Sequence, residues 1–133
     1  MTNPYRANQY RQTAVTTANR GQILLMLYEA AIANVKKASA ALDKKDMKTK
    51  GVCIIKAHDI INELLNTLNF EIGGDVAREL ERLYNYMIGA LVKSNMENSK
   101  EPLLSVQKLL ETLLEGWRGA VAEVNKGLGN RSA

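Results

Sequence analysis

The stretch ILLMLYEAAIA, Ile23 to Ala33, has a single charged side chain, Glu29, in eleven positions. A helix on the surface of a soluble domain carries a polar face about as broad as its apolar one. This stretch has almost none, so it must be covered on more than one side. The pattern further along is more regular. Val106, Leu109, Leu110, Leu113, Trp117, Ala120, Val121 and Val124 fall on one side of a helical wheel, with Lys108, Glu111, Thr112 and Glu115 opposite. That is the spacing of a helix buried along one stripe. The same wheel gives three more core faces: Leu24, Leu27, Tyr28, Ala31, Val35, Ala38 and Leu42; Cys53, Ile54, Ala57, Ile60, Ile61, Leu64, Leu65 and Leu68; and Val76, Leu80, Leu83, Tyr84, Met87 and Leu91.

Punctuation between the stripes sets the boundaries. Asn19 with Gln22 forms a capping pair, predicting a first helix from near Arg20 to about Lys44. Asp46 caps a second, which runs to about Leu68. NFEIGG interrupts the pattern, and Asp75 is placed to cap a third helix ending near Asn95. Pro102 fits only a first helical turn, so the fourth starts near Lys100 or Glu101 and ends near Lys126, with Gly127 as its stop. Four helices of roughly 20 to 25 residues with short loops must run antiparallel. The expectation is an all-α antiparallel four-helix bundle over residues 19–127. It is preceded by an extended or partly ordered N-terminal arm, residues 1–18, and followed by a flexible tail, residues 128–133. With two prolines and one phenylalanine among 133 residues, composition also favours helix over sheet.

Some apolar residues are left over once the core faces are filled. Leu25 and Ile32 sit beside the narrow polar stripe Gln22, Glu29, Lys36 and Asp43; Ile55 lies among Lys48, Asn62 and Asn66; Tyr86 and Val92 fall outside the third stripe. Single exposed apolar residues are ordinary on any surface, whereas a contiguous patch of them marks a binding surface. In the arm, Tyr5 and Tyr10 are amphipathic rings on an otherwise polar segment. Either they dock as a cap over apolar surface or they belong to a frayed terminus.

The chain offers little to reaction chemistry. One histidine, His58, and one cysteine, Cys53, cannot assemble a zinc or iron site or an internal disulfide. Cys53 has the core-face place of a small buried hydrophobe, and a lone cysteine fits a reducing compartment, with the cytoplasm as default. Gly73-Gly74 lacks the lysine and spacing of a phosphate loop. No carboxylate pair sits in an apolar setting suited to acid and base work. Neither catalytic residues, metal nor cofactor are expected, and the chain reads as a binding protein rather than an enzyme. An eleven-residue apolar run is about half a bilayer span, so membrane insertion is not expected. The net charge of +4 is concentrated in Arg6, Arg11 and Arg20 and in DKKDMKTK, Asp43 to Lys50. The alternative function is therefore a basic helical module that holds nucleic acid or an acidic surface through the arm and the Lys44 to Lys50 loop. No aromatic ring is interleaved with those lysines to stack a base, which argues against nucleic acid.

Three segments in order, with the arm, resemble the FliS family of flagellar export chaperones over nearly the whole chain. LLMLYEAAI (24 to 32) is similar to that family's first-helix Leu-Tyr-acid motif. GGDVARELERLYNYM (73 to 87) is similar to its Gly-Gly-acid start of helix three followed by Leu-Tyr-x-Tyr, and VQKLLETLLEGW (106 to 117) to its Leu-rich fourth helix ending in Trp. Tyr5, Gln9 and Thr16-Thr17 resemble parts of its N-terminal arm. Ala30, Arg20, Tyr10 and Leu114 depart from the common residues without disturbing the helical pattern. The resemblance implies a cytosolic chaperone that binds the disordered C-terminal segment of flagellin, prevents premature polymerisation and delivers it to the flagellar export apparatus. Leu25, Ile32, Ile55, Tyr86 and Val92 would then be client-binding, and Tyr5 and Tyr10 would cap the same surface in the free protein.

Overall fold

In a computed structural model the backbone of residues 4–131 and the side chains of residues 19–127 are described. Four helices follow one another: α1 (Pro4–Asp43), α2 (Met47–Asn66), α3 (Phe70–Glu97) and α4 (Glu101–Arg131). Three-residue connections, 44–46, 67–69 and 98–100, force each helix to reverse beside the last. α1 and α3 each pack against α2 and α4, so the helices follow their chain order round an antiparallel four-helix bundle.

Each connection is fixed by local chemistry. Lys45 adopts a left-handed conformation (φ 58°), the Asp46 N–H returns to the Ala41 carbonyl at 2.8 Å, and the Asp46 carboxylate accepts the Thr49 N–H at 3.1 Å as the α2 cap. At the α3 end Asn98 is likewise left-handed, and the Ser99 N–H reaches back to the Ser94 carbonyl. Lys50, buried at the start of α2, donates to the Asn95 carbonyl at 3.0 Å and to Asn98 Oδ1 at 2.7 Å. Its ammonium thus satisfies the carbonyl end of α3, where the helix dipole favours a cation. With the Lys100–Asp43 pair at 2.8 Å, this end of the bundle is clasped by polar side chains.

The opposite end is open. At about 1.5 Å per residue, the 40-residue α1 outruns the 20-residue α2 by roughly 30 Å, all of it at the α1 N-terminus because the two helices meet at a short turn. The helix begins at Pro4 rather than near Arg20, and proline suits a first helical position. The side chains of residues 4–18, Tyr5 and Tyr10 among them, lie outside the described residues. α4 likewise continues through Gly127 to Arg131 instead of stopping there. α3 starts earlier than Asp75: Asn69 caps a first turn at Phe70 by accepting the Ile72 N–H at 3.1 Å, and the helix bends at Gly74 (φ 52°, ψ −124°). That backbone conformation is open to glycine alone. Nothing lies within 4 Å of where a Cβ would sit, so Gly74→Ala meets backbone strain only. It is expected to cost about 1 to 3 kcal/mol and to lower the thermal midpoint by several degrees; an unchanged midpoint would show that the bend is not held.

The core agrees with most of the predicted faces. Tyr28, Val35, Ile61, Leu64, Met87, Leu91, Val106 and Leu110 are all but inaccessible, and Leu103 and Leu114 join them although the wheel gave neither to the core. Val76, Ala120 and Val124, placed on core faces by periodicity, are exposed. All three lie toward the open end, where α2 has ended and α3 is interrupted by its bend at Gly74.

Candidate functional site

Tyr28 and Tyr84 meet at the centre, from α1 and α3 on opposite corners of the bundle. Their hydroxyls hydrogen-bond to each other and their rings are tilted with centroids 6.5 Å apart. Burial pushes both phenols above their ordinary value, Tyr84 further because the bond to Tyr28 favours its neutral form. Trp117 of α4 is within reach of the Tyr28 hydroxyl, yet its buried indole N–H makes no hydrogen bond. The sign of the alkaline response follows. Above about pH 10 an unfolded tyrosine ionises more readily than these two, so the unfolded state gains. Stability is expected to fall as pH rises further, by about 1.4 kcal/mol per pH unit for each tyrosine that stays neutral in the fold. Urea unfolding at stepped pH reads this, and Tyr84→Phe should roughly halve the slope.

Among the recesses lined by the described residues, three lie over this core. The first, about 310 Å³, is at the open end, where Leu24, Leu68, Ile72, Val76, Leu80 and Trp117 form apolar walls. The second, about 230 Å³, is a groove between α2 and α3, lined by Ile54, Ile55 and His58 on one side and Val92, Asn95 and Met96 on the other. The third, about 730 Å³, is a furrow between α3 and α4 with a mostly polar rim, including Asn85, Tyr86, Lys93, Glu97 and Glu101.

These recesses sort the residues singled out by sequence. Ile55 and Val92, 55% and 44% exposed, share the α2–α3 groove from opposite walls. Tyr86 is exposed in the furrow on the other side of α3. Ile32 is not a surface residue. It is buried, and Leu25 is partly buried against the same core. The reason lies in the polar stripe beside them: Glu29 reaches Arg118 at 3.4 Å and Lys36 reaches Glu111 at 3.8 Å, both on α4. The stripe is the solvated rim of the α1–α4 seam, and the buried arc of α1 reaches up to it. Flanking on two sides covers much of ILLMLYEAAIA, but Ile23 and Met26 stay exposed.

Several exposed apolar residues were missed. Met96, 79% exposed, follows Val92 by one helical turn, and that spacing was there to be read across MENSKE. Phe70 and Ile72 fall in the Gly-containing stretch taken as a break, where apolar side chains have no helical reason to recur. Among the residues of the basic loop, Lys50 is turned inward and engaged, which leaves Lys44, Lys45 and Lys48 as scattered exposed charges. Among the described residues there is no group of three potential metal ligands, and no helix long and apolar enough to cross a membrane.

Comparison with known proteins agrees with this geometry. The family model described as flagellar protein FliS matches residues 1–124. The flagellar secretion chaperone FliS of Bacillus subtilis is 34% identical over 124 residues, covering 93% of this chain and 90% of the relative. The flagellar secretion chaperone FliSB of Pseudomonas aeruginosa is 35% identical over 115 residues, covering 84% and 91%. A crystal structure of a bacterial flagellar chaperone superimposes with a TM-score of 0.78 at 22% identity, covering 90% of this chain and 97% of that one, and so shares the fold. With the bundle, its open apolar end and matches of this extent, the chain belongs to the FliS family of flagellar secretion chaperones.

Proposed function

We propose that this protein binds the disordered C-terminal segment of flagellin in the cytosol, keeps it from polymerising before export, and delivers it to the flagellar type III export apparatus. The observation that carries the reading is the α2–α3 groove, where Ile55, Val92 and Met96 hold apolar surface open on a chain of this family. Such a groove suits the apolar face of a helix that forms as it docks. Ordering the client costs about 2 to 5 kcal/mol of the gross interaction, which keeps the complex reversible enough for hand-over without a nucleotide or metal. Tyr86 is a second contact in this reading, for a client chain that passes over α3. Residues 1–18, with Tyr5 and Tyr10, compete with the client for apolar surface, so their deletion is expected to increase binding of a hydrophobic dye while helicity of the bundle remains.

The test is a pull-down from a flagellated source with the bound chain identified by mass, followed by titration with a synthetic flagellin C-terminal peptide. Apolar docking is expected to survive about 0.5 M salt, whereas a contact dominated by phosphate would lose orders of magnitude in affinity. Recovery of nucleic acid instead of flagellin would overturn the reading.

A further inference from the structure

His58 is the chain's only imidazole, and it is the one ionisable side chain among the six residues lining the α2–α3 groove. Its neighbours there are Ile54, Ile55, Val92, Met96 and the neutral amide Asn95. On its own helix the Asn62 amide donates to His58 Nδ1 at 3.0 Å, which places the proton of the neutral ring on Nε2. Asp59 Oδ1 stands 3.9 Å from the same nitrogen, but its side chain is 73% exposed and points its charge into water. α3 brings no carboxylate to the groove wall.

We propose that the charge of His58 controls occupation of the α2–α3 groove: the neutral ring admits an apolar client helix and the imidazolium rejects it. The step rests on the client reading above. Water now reaches the half-buried ring; a docked helix removes that water and leaves the imidazolium with no buried partner carboxylate, a cost the neutral ring does not bear. Binding and protonation therefore oppose each other, and by linkage affinity falls as pH drops. Asn62 adds to the bias, because its amide N–H₂ can face an accepting Nδ1 but must turn away or invert beside a protonated one. The protein would hold its client at neutral or slightly alkaline pH and loosen it in a mildly acidic setting.

The experiment titrates the full-length protein with a histidine-free flagellin C-terminal peptide at about pH 7.5 and about pH 5.5. Circular dichroism at both values confirms the fold. Wild type is expected to bind several-fold more weakly at the lower value. His58→Gln keeps a polar side chain of similar reach that does not titrate, and whatever its affinity at the higher pH, its ratio between the two is expected to stay near one. Equal ratios in wild type and His58→Gln would overturn the switch while leaving the client reading intact. If wild type fails to bind the peptide at either pH, the client reading fails and this inference with it.

Discussion

Leu64→Asp and Leu110→Asp are each expected to leave the domain largely unfolded at 25 °C. Both side chains are at most 1% exposed, on α2 and α4, and both belong to the cluster that all four helices share. Removing a buried leucine costs about 2 to 5 kcal/mol once the residual cavity is included. The aspartate adds the penalty of a buried carboxyl, which either stays charged without a partner or takes up a proton and still lacks hydrogen bonds. Against a total stability of roughly 5 to 15 kcal/mol for a domain of this kind, either change consumes most or all of it. Far-UV circular dichroism and urea titration read the outcome. Ile32→Asp belongs to the same class, because Ile32 is buried in the same cluster. Cooperative melting of these three variants within a few degrees of wild type would mean that the helices are not packed as described.

The contrast between Ile32 and Ile55 shows what the sequence carried and what it left out. A helical wheel ranks positions by angle from a stripe, and that is sufficient where a helix has one dominant contact. On α2 the single stripe Cys53, Ile54, Ala57, Ile61 and Leu64 is the buried face, and Ile55 lies off it in solvent as the wheel implies. Every helix of the bundle has two neighbours, but α1 packs extensively against both of its own whereas α2 packs more on α1 than on α3. The buried arc of α1 therefore extends round to Ile32 and Ser39, and the charged residues at its border are paired across the seam. A wheel drawn for one helix does not contain the position of the second neighbour. Composition of a stripe likewise says nothing about where the other helices stop. Val76, Ala120 and Val124 have core periodicity and solvent exposure because the bundle thins around them, a consequence of relative helix length and of the Gly74 bend.

Two of the helix starts were legible, because they are chemistry of one or two residues. Asp46 and Pro102 fix the starts of α2 and α4 within a residue of the expected places. The Asn19–Gln22 pair, Asp75 and Gly127, by contrast, do not bound their helices: α1 begins at Pro4, Asn69 caps α3 and α4 runs on to Arg131. The groove was half legible. Ile55 and Val92 were both marked as surplus, but their meeting on facing walls depends on how α2 and α3 align, which no single helix encodes. His58 and Met96 complete the groove at spacings of three and four from those two residues, and they acquire meaning only once the pair is known.

Ile55→Asp and Val92→Asp are expected to leave circular dichroism and the melting temperature close to wild type while weakening flagellin C-terminal peptide binding by about ten- to over a hundredfold. Each side chain already has close to half of its surface in water, so an aspartate there remains solvated in the free protein and costs little. Docking changes the balance. Covering an apolar side chain of this size is worth roughly 1.5 to 3 kcal/mol when complete, and the exposed half supplies about half of that. The aspartate forfeits this gain and must in addition be desolvated against an apolar helix, at about 1 to 3 kcal/mol when it finds no partner. Together these give the stated loss at 1.4 kcal/mol per tenfold. The two variants share one groove, so the double variant should lose less than the sum of the singles. Isothermal titration with the peptide, beside a thermal melt of each variant, separates the alternatives. Full-strength binding by both single variants with normal melting would remove the α2–α3 groove from the client path and turn attention to the open end around Ile72 and Trp117.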